Sequence, residues 1–212
     1  EVNYKIDNIP VRFFDTAGIR ETGDFIELSG IKKSKENAKD SDLVLWAFDV
    51  STSELKDLIE IIKKNKSLAG KNPLEIGKQV WSKGRIISLT LSKKQLKVLP
   101  EKIGNLTKLQ KLNVYGNQLN SLPNSIGKLT NLIELIVHGN QLTKLPDKIV
   151  TLKKLKRIKV NHINLESLPE NIGKLEKLEK LQINHNKLTE LPNSICSLQL
   201  DREVVHSFIA GN

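Results

Sequence analysis

The sequence predicts an α/β chain in which a solenoid of five 23-residue repeats follows a shorter segment of alternating strands and helices. Three observations carry this prediction: leucines recur at a fixed period from residue 86 to 200, a proline recurs in phase with them, and charge differs between the two parts. Residues 1–66 hold 11 Lys and Arg against 13 Asp and Glu, a balance of −2, whereas residues 67–212 hold 23 against 11, a balance of +12. Such asymmetry indicates two segments of different character.

Each repeat follows the pattern LxxLxLxxNxLxxLPxxIxxLxx, which at this period is typical of a leucine-rich repeat. The five copies begin at Ile86, Leu109, Leu132, Leu155 and Leu178. Alternation in LxL predicts a short strand whose leucines turn into the core, and IxxL is expected to pack the outer arc onto that core. No repeat can bury its leucines alone, so the copies are expected to stack.

An asparagine closes the strand side of three repeats. Asn117, Asn140 and Asn186 fall where the chain must turn, and we expect their side chains to hydrogen-bond backbone groups of the next coil. Lys94 and Ile163 interrupt this column, so the first and fourth repeats lack that turn chemistry.

The segment before the repeats shows strand and helix signals in alternation. Residues 2–6 and 11–14 read as two strands joined by a turn over 7–10, residues 24–39 as a helix, and the apolar run 43–48 as a buried parallel strand. A further helix is predicted from Ser51 or Ser53 to about Lys66. Its inward residues are predicted to be Leu55, Leu58, Ile59 and Ile62.

The motif DTAGIRET at residues 15–22, with Asp24, Ile26, Glu27 and SDLVL at 41–45, resembles the MnmE (TrmE) family of tRNA-modification GTPases. The resemblance covers residues 1 to about 60 and implies a fragment of a Ras-like P-loop GTPase fold. It implies GTP and Mg²⁺ as cofactors and tRNA as a partner of the parent family.

The resemblance also assigns roles to individual residues. Asp15, Thr16 and Gly18 would belong to the nucleotide site, with Asp15 holding Mg²⁺ through water and the Gly18 amide facing the γ-phosphate. Glu27 would orient the attacking water as the catalytic residue; read without the resemblance, it is a solvated glutamate near a helix N-terminus. A carboxylate near the metal and a bare backbone near phosphate suit this chemistry.

Two motifs of such a GTPase do not occur in the sequence. GxxxxGK[ST], which cradles the β-phosphate, and NKxD, which reads guanine, are both absent. The GTPase fold is therefore predicted to be incomplete. We expect this chain alone to bind neither GTP nor Mg²⁺ and to lack hydrolytic activity.

The predicted domain organisation has four parts. Residues 1–66 are the partial GTPase domain, 67–85 a linker and N-terminal cap with Trp81 in the core, 86–200 the repeats, and 201–212 a C-terminal cap. Cys196 is the single cysteine, which excludes an internal disulfide and fits a reducing compartment. No apolar run approaches the ~20 residues of a membrane helix, so we expect a cytoplasmic protein without a membrane span.

The exposed strand positions should form columns on a concave face. Candidate partner-binding residues there are Tyr115, Ile136, His138, Lys159, His162 and His185. Rigid amphipathic side chains on such a face suit a protein partner. His162 and His185 should lie about 5 Å apart at strand spacing, which leaves a metal site as an alternative, although no carboxylate or cysteine joins them. The densest basic patch, which consists of Lys153, Lys154, Lys156, Arg157 and Lys159, reads as a solvated surface or as a contact for an acidic partner.

Two functions follow from these patterns. The first is a protein-binding leucine-rich-repeat module fused to a partial GTP-binding domain. The alternative is a fragment of an MnmE-like GTPase that binds and hydrolyses GTP in tRNA modification. The missing phosphate loop distinguishes the two functions, because the GTPase alternative requires this loop and the protein-binding module does not.

Overall fold

The computed structural model describes residues 2–6, 9–13 and 52–200. At the N-terminus, β1 (Val2–Ile6) pairs antiparallel with β2 (Ile9–Phe13). The sequence predicted this hairpin but began its second strand at residue 11. The strand starts at Ile9 because Pro10, opposite Lys5, is tolerated in a ribbon whose two strands, among the described residues, pair only with each other. The predicted elements over 24–39, 43–48 and 201–212 lie outside the described residues.

The repeats form one sheet of six strands. An antiparallel strand β3 (Lys78–Ser82) pairs with β4 (Arg85–Thr90), and four parallel strands follow in chain order. These are β5 (Lys111–Asn113), β6 (Glu134–Ile136), β7 (Arg157–Lys159) and β8 (Lys180–Gln182). The register advances by one 23-residue repeat per strand, so that Leu112 pairs with Leu135 and Leu135 with Ile158. The predicted solenoid is confirmed.

The opposite, convex side of each coil is a short 3₁₀-helix after the LP pair. These helices span Glu101–Asn105, Asn124–Lys128, Asp147–Thr151, Ile172–Lys174 and Asn193–Ser197. Proline precedes most of them because it needs no backbone donor at the start of a helix. Isoleucines such as Ile126 and Ile149 point from this side into the leucine core and are fully buried.

A helix, α1 (Thr52–Lys64), packs against the first repeat. Its Leu58 and Ile61 are fully buried in the same hydrophobic core as the repeat leucines. The buried face differs from the prediction: Leu55, Ile59 and Ile62 are only half-buried, while Glu54 and Asp57 turn inward. The spacing of the apolar residues predicted the wrong inward face of the helix. Two carboxylates lie on the face that is buried, and they can do so because they accept hydrogen bonds there.

Glu54 fastens α1 to the start of the repeats. Its carboxylate is completely buried and accepts hydrogen bonds from the Arg85 side chain and the Ile86 backbone N–H. Asp57 accepts a hydrogen bond from Asn105 at 3.0 Å, and burial raises the pKa of this carboxyl. The helix that the sequence placed within residues 1–66 thus shields the first coil of the array.

Asn65, just after α1, completes this end of the molecule. Its Oδ1 accepts from the backbone N–H groups of Lys97 and Val98, and its Nδ2 donates to Ile61 O and Val98 O. On the other flank, Trp81 in β3 is partly buried against the core and donates to Gln79. A core-packing role for Trp81 was the prediction.

The asparagine column is present, but its bonds run toward the preceding coil and not the next one. Asn117 Oδ1 accepts from Lys94 N and Leu96 N, and Nδ2 donates to Leu91 O. The direction was predicted wrongly because leucine spacing does not encode which neighbour a turn faces. At the interruption, Ile163 is fully buried and fills the position with apolar volume.

Candidate functional site

The concave face is built by residues on either side of each strand's buried leucine. Because the strands are parallel and in register, equivalent residues stack into rows. A first row consists of Ser88, Lys111, Glu134, Arg157 and Lys180, and a second of Thr90, Asn113, Ile136, Lys159 and Gln182. The second row contains two of the predicted contact residues, Ile136 and Lys159; the first row, which holds most of the charge, was not among the predicted columns. The signal that could have found it is the residue immediately before each LxL, repeated every 23 positions.

Glu134 organises the centre of the first row. Its carboxylate lies 2.8 Å from Lys111 Nζ and 3.2 Å from Arg157 Nε, and its side chain is only 11% exposed. Burial alone would raise the pKa of Glu134, but the two neighbouring cations outweigh it and hold the pKa below its usual value. One carboxylate therefore fixes two cationic side chains, one on the coil before it and one on the coil after it.

Aromatic rings form a second feature of the face. Tyr115 and His138 stack with ring centroids 4.1 Å apart, and Lys93 Nζ lies 5.5 Å from the centroid of the Tyr115 ring. His162 and His185 stack at 4.3 Å, close to the predicted separation. Burial, followed by the charges of Lys159 and His162, lowers the pKa of His138. The face thus carries two ring pairs on four successive coils.

His162 and His185 carry side chains at a position where two other repeats have glycine, and Lys93, the equivalent residue of the first repeat, shares their left-handed backbone with a φ of 54°. The equivalent positions in the second and third repeats are Gly116 and Gly139, with φ of 66° and 67°. His162 and His185 adopt the same left-handed conformation, at 52° and 54°. A residue with a Cβ is disfavoured there, although histidine tolerates the region better than most. Strain of this kind is often retained where a side chain serves a ligand.

The orientation of the two histidine rings tests the alternative that His162 and His185 bind a metal ion. The two rings are parallel to within 15°, so their in-plane nitrogen lone pairs point side by side and do not converge. Within residues 52–200, no group of three His, Cys, Asp or Glu side chains is placed to hold a metal ion. The pair is therefore arranged as a stacked aromatic surface.

The predicted contact residues differ in how much surface they offer. His162 and His185 are exposed, and Tyr115, His138 and Lys159 are half-buried. Ile136 lies on the face but is only 8% exposed, so it can add little contact area. Its assignment as a contact residue stays a prediction, as do the others.

The residues assigned by resemblance to a nucleotide site fall elsewhere. Asp15, Thr16, Gly18 and Glu27 lie outside the described residues, so their assignment stays a prediction. In the part of the chain that the structure describes, no helix is long and apolar enough to cross a bilayer.

Comparison with known families identifies the repeats. Residues 78–166 match the leucine-rich repeat region family, and residues 177–198 match the leucine-rich repeat family. A solved leucine-rich-repeat protein of Leptospira interrogans is 32% identical, with a TM-score of 0.53 over 57% of this chain and 34% of that one. The BIR3–SERK2 complex of Arabidopsis thaliana contains a chain 32% identical, with a TM-score of 0.50 over 54% of this chain and 64% of that one.

A second set of relatives is made up of tRNA-modification GTPases. MnmE of Aquifex aeolicus is 39% identical over 80 residues, which is 36% of this chain and 18% of that protein. MnmE of Alkaliphilus metalliredigens is 35% identical over 101 residues, 46% of this chain and 22% of that protein. The chain spans about a fifth of the length of these relatives. The resemblance read from the DTAG segment is thereby confirmed.

Proposed function

Because residues 78–166 and 177–198 are leucine-rich repeats in a chain that also carries an MnmE-like GTPase fragment, we propose that it is a protein-binding module. The concave sheet face is its contact surface, and the partial GTP-binding domain is an appended segment. The setting we propose is the cytoplasm, which agrees with a single cysteine.

The observation that carries this proposal is the composition of the concave face. Two ring pairs, a buried carboxylate that fixes two cations, and Lys159 lie on successive coils of one solenoid, on or just after its strands. Aromatic and cationic side chains that are already ordered lose little conformational entropy on binding. Three repeats keep a side chain at this left-handed position, Lys93, His162 and His185, where the other two have glycine; this costs stability and so favours a role in binding.

The solved BIR3–SERK2 complex also supports the proposal that this chain binds a protein. It shows a leucine-rich-repeat protein, 32% identical to this chain, in a protein complex. That observation belongs to the Arabidopsis protein, and it supports protein recognition as the type of activity for this chain.

A pull-down with the full chain tests the proposal. Tyr115→Ala combined with His138→Ala should abolish capture of a specific protein, since it removes one ring pair from the face. Lys128→Ala combined with Lys148→Ala, on the convex side, is the matched control and should leave capture unchanged. Equal capture by both double variants, with both folded, would show that the concave face is not the site.

The similarity to MnmE favours a second candidate, a GTPase fragment acting in tRNA modification. GTP and Mg²⁺ would be held by Asp15, Thr16 and Gly18, with Glu27 orienting water and tRNA as substrate, all by resemblance. These four residues lie outside the described residues, and the sequence contains no phosphate loop that would complete the nucleotide site. Helix α1, which lies within the residues predicted to form the partial GTPase domain, buries its apolar face against the first repeat.

Isothermal titration of the full chain with GTP and Mg²⁺ distinguishes the two candidates. We expect no saturable heat, because neither GxxxxGK[ST] nor NKxD occurs in the sequence. A dissociation constant in the micromolar range would favour the GTPase, and Asp15→Ala would then be expected to weaken the binding.

A further inference from the structure

The concave face has a surplus of positive charge. The charged side chains that line it are Lys93, Lys111, Glu134, Arg157, Lys159 and Lys180. Among the described residues, five cations and one carboxylate leave a net +4 on this face with the histidines counted as neutral. At the adjoining edge, Lys156 lies 2.6 Å from Glu179, so that pair adds nothing to the balance.

The charge is concentrated at the fourth and fifth coils. Arg157 and Lys159 flank the buried Ile158 in β7, and Lys180 is the partner of Arg157 on β8. With strands about 4.8 Å apart, these cations lie within roughly 10 Å of one another. The exposed histidines His162 and His185 belong to the same two coils.

Between these charges the face is rich in amides. The amide side chains are Asn113, Asn161, Gln182 and Asn184, all half-buried. A primary amide both donates and accepts, which matches the N–H and C=O groups of an extended polypeptide backbone. The surface therefore combines amides that can hydrogen-bond a peptide backbone with cations that can bind carboxylates.

We propose that the concave face binds an acidic, extended peptide segment, whose carboxylates meet Arg157, Lys159 and Lys180 while its backbone runs along the amides. The inference rests on the proposed function and names the chemistry of its partner. Glu134 orders Arg157 and Lys111 in advance, so that less conformational entropy is lost when the peptide arrives. Charge complementarity of this type also raises the association rate.

Single-stranded nucleic acid is the other anionic polymer to consider, and the rings disfavour it. Binding of that kind uses aromatic faces on which bases stack. Here Tyr115 has His138 on one face and Lys93 over its ring, and His162 and His185 cover each other. The Tyr115 ring is thus occupied by His138 and Lys93, and each histidine of the second pair has one face covered by the other, which reduces the aromatic surface on which a base could stack.

Fluorescence anisotropy with fluorescein-labelled decaglutamate, at about 0.15 M salt, tests the inference on the full chain. Lys159→Glu combined with Lys180→Glu should weaken binding about tenfold, since two attractive charges become repulsive at the site. Lys148→Glu combined with Lys174→Glu changes the net charge equally on the convex side and should weaken it less than twofold. Circular dichroism of both double variants confirms that they are folded.

The outcomes separate this inference from the proposed function. Equal weakening by the two charge reversals would mean unspecific attraction and would overturn the acidic-peptide site. Tighter binding of a ten-nucleotide oligouridylate, lost with the concave reversal, would overturn it in favour of nucleic acid. If decaglutamate does not bind while Tyr115→Ala with His138→Ala still abolishes protein capture, the acidic partner is wrong and the protein-binding face stands.

Discussion

The left-handed backbone at His162 and His185 gives a prediction about the stability cost of a side chain at this position of the repeat. Two variants are compared: His162→Gly with His185→Gly, and His162→Ala with His185→Ala. Both remove the stacked rings, so they differ only in whether a Cβ remains at φ of 52° and 54°. The comparison therefore isolates backbone strain from the loss of the ring pair.

The magnitude follows from two opposing effects. A Cβ in the left-handed region costs roughly 1–2 kcal/mol per residue. Glycine gives back about 0.4–1 kcal/mol through the greater freedom of the unfolded chain. With the middle of each range, the net advantage of glycine is about 0.8 kcal/mol per position, or about 1.6 kcal/mol for the pair. For a chain of this size that corresponds to roughly 3–6 °C in Tm.

Urea unfolding followed by circular dichroism measures the difference in free energy of unfolding. The glycine double variant should be the more stable one. At Gln182, in strand β8 with ordinary backbone, the order should reverse, with Gln182→Ala more stable than Gln182→Gly. An alanine double variant as stable as the glycine one would refute the assignment of strain to these histidines.

Three further predictions concern the array. Glu54→Ala should lower the free energy of unfolding by about 2 kcal/mol in a urea titration, because it leaves the buried Ile86 N–H without its acceptor. Glu134→Gln should remove a stabilising contribution that the wild type has above about pH 4.5 and loses as pH falls through the lowered pKa of Glu134. Plots of the free energy of unfolding against pH that stay parallel for the two proteins from about pH 7 to pH 3 would argue against it. Leu135→Ala should cost about 2–5 kcal/mol, with amide exchange accelerated in the adjacent coils first; uniform acceleration along the array would contradict that locality.

The sequence predicted the repeats well because the 23-residue period dictates both strand register and core. The pairing of Leu112 with Leu135 and the rows on the concave face follow from that period alone. The sequence could not predict which surface α1 covers. The pattern of an amphipathic helix indicates that one face is buried, but it does not indicate which part of the protein that face contacts. Glu54 was missed for the same reason, because a carboxylate reads as exposed unless its donors, Arg85 and Ile86, are known to be near.

The candidate site was predicted in part. Stacking of His162 on His185 follows from their separation of one repeat, but the bridging of Lys111 and Arg157 by Glu134 needed the three side chains in space. The left-handed backbone was signalled by glycine at positions 116 and 139 of the same column. Histidine in place of glycine there is a pattern that sequence inspection could have found.

Photo-cross-linking tests the central claim, protein recognition by the concave face, most directly. A photoreactive phenylalanine replaces Asn113 on the concave face or Lys148 on the convex face of the full chain, and cross-linked products from cell lysate are identified by mass spectrometry. We predict a discrete cross-linked protein from the variant at Asn113, lost when Lys159→Glu and Lys180→Glu are added, and none from the variant at Lys148. The same product from both positions, or a product from Lys148 alone, would contradict the account.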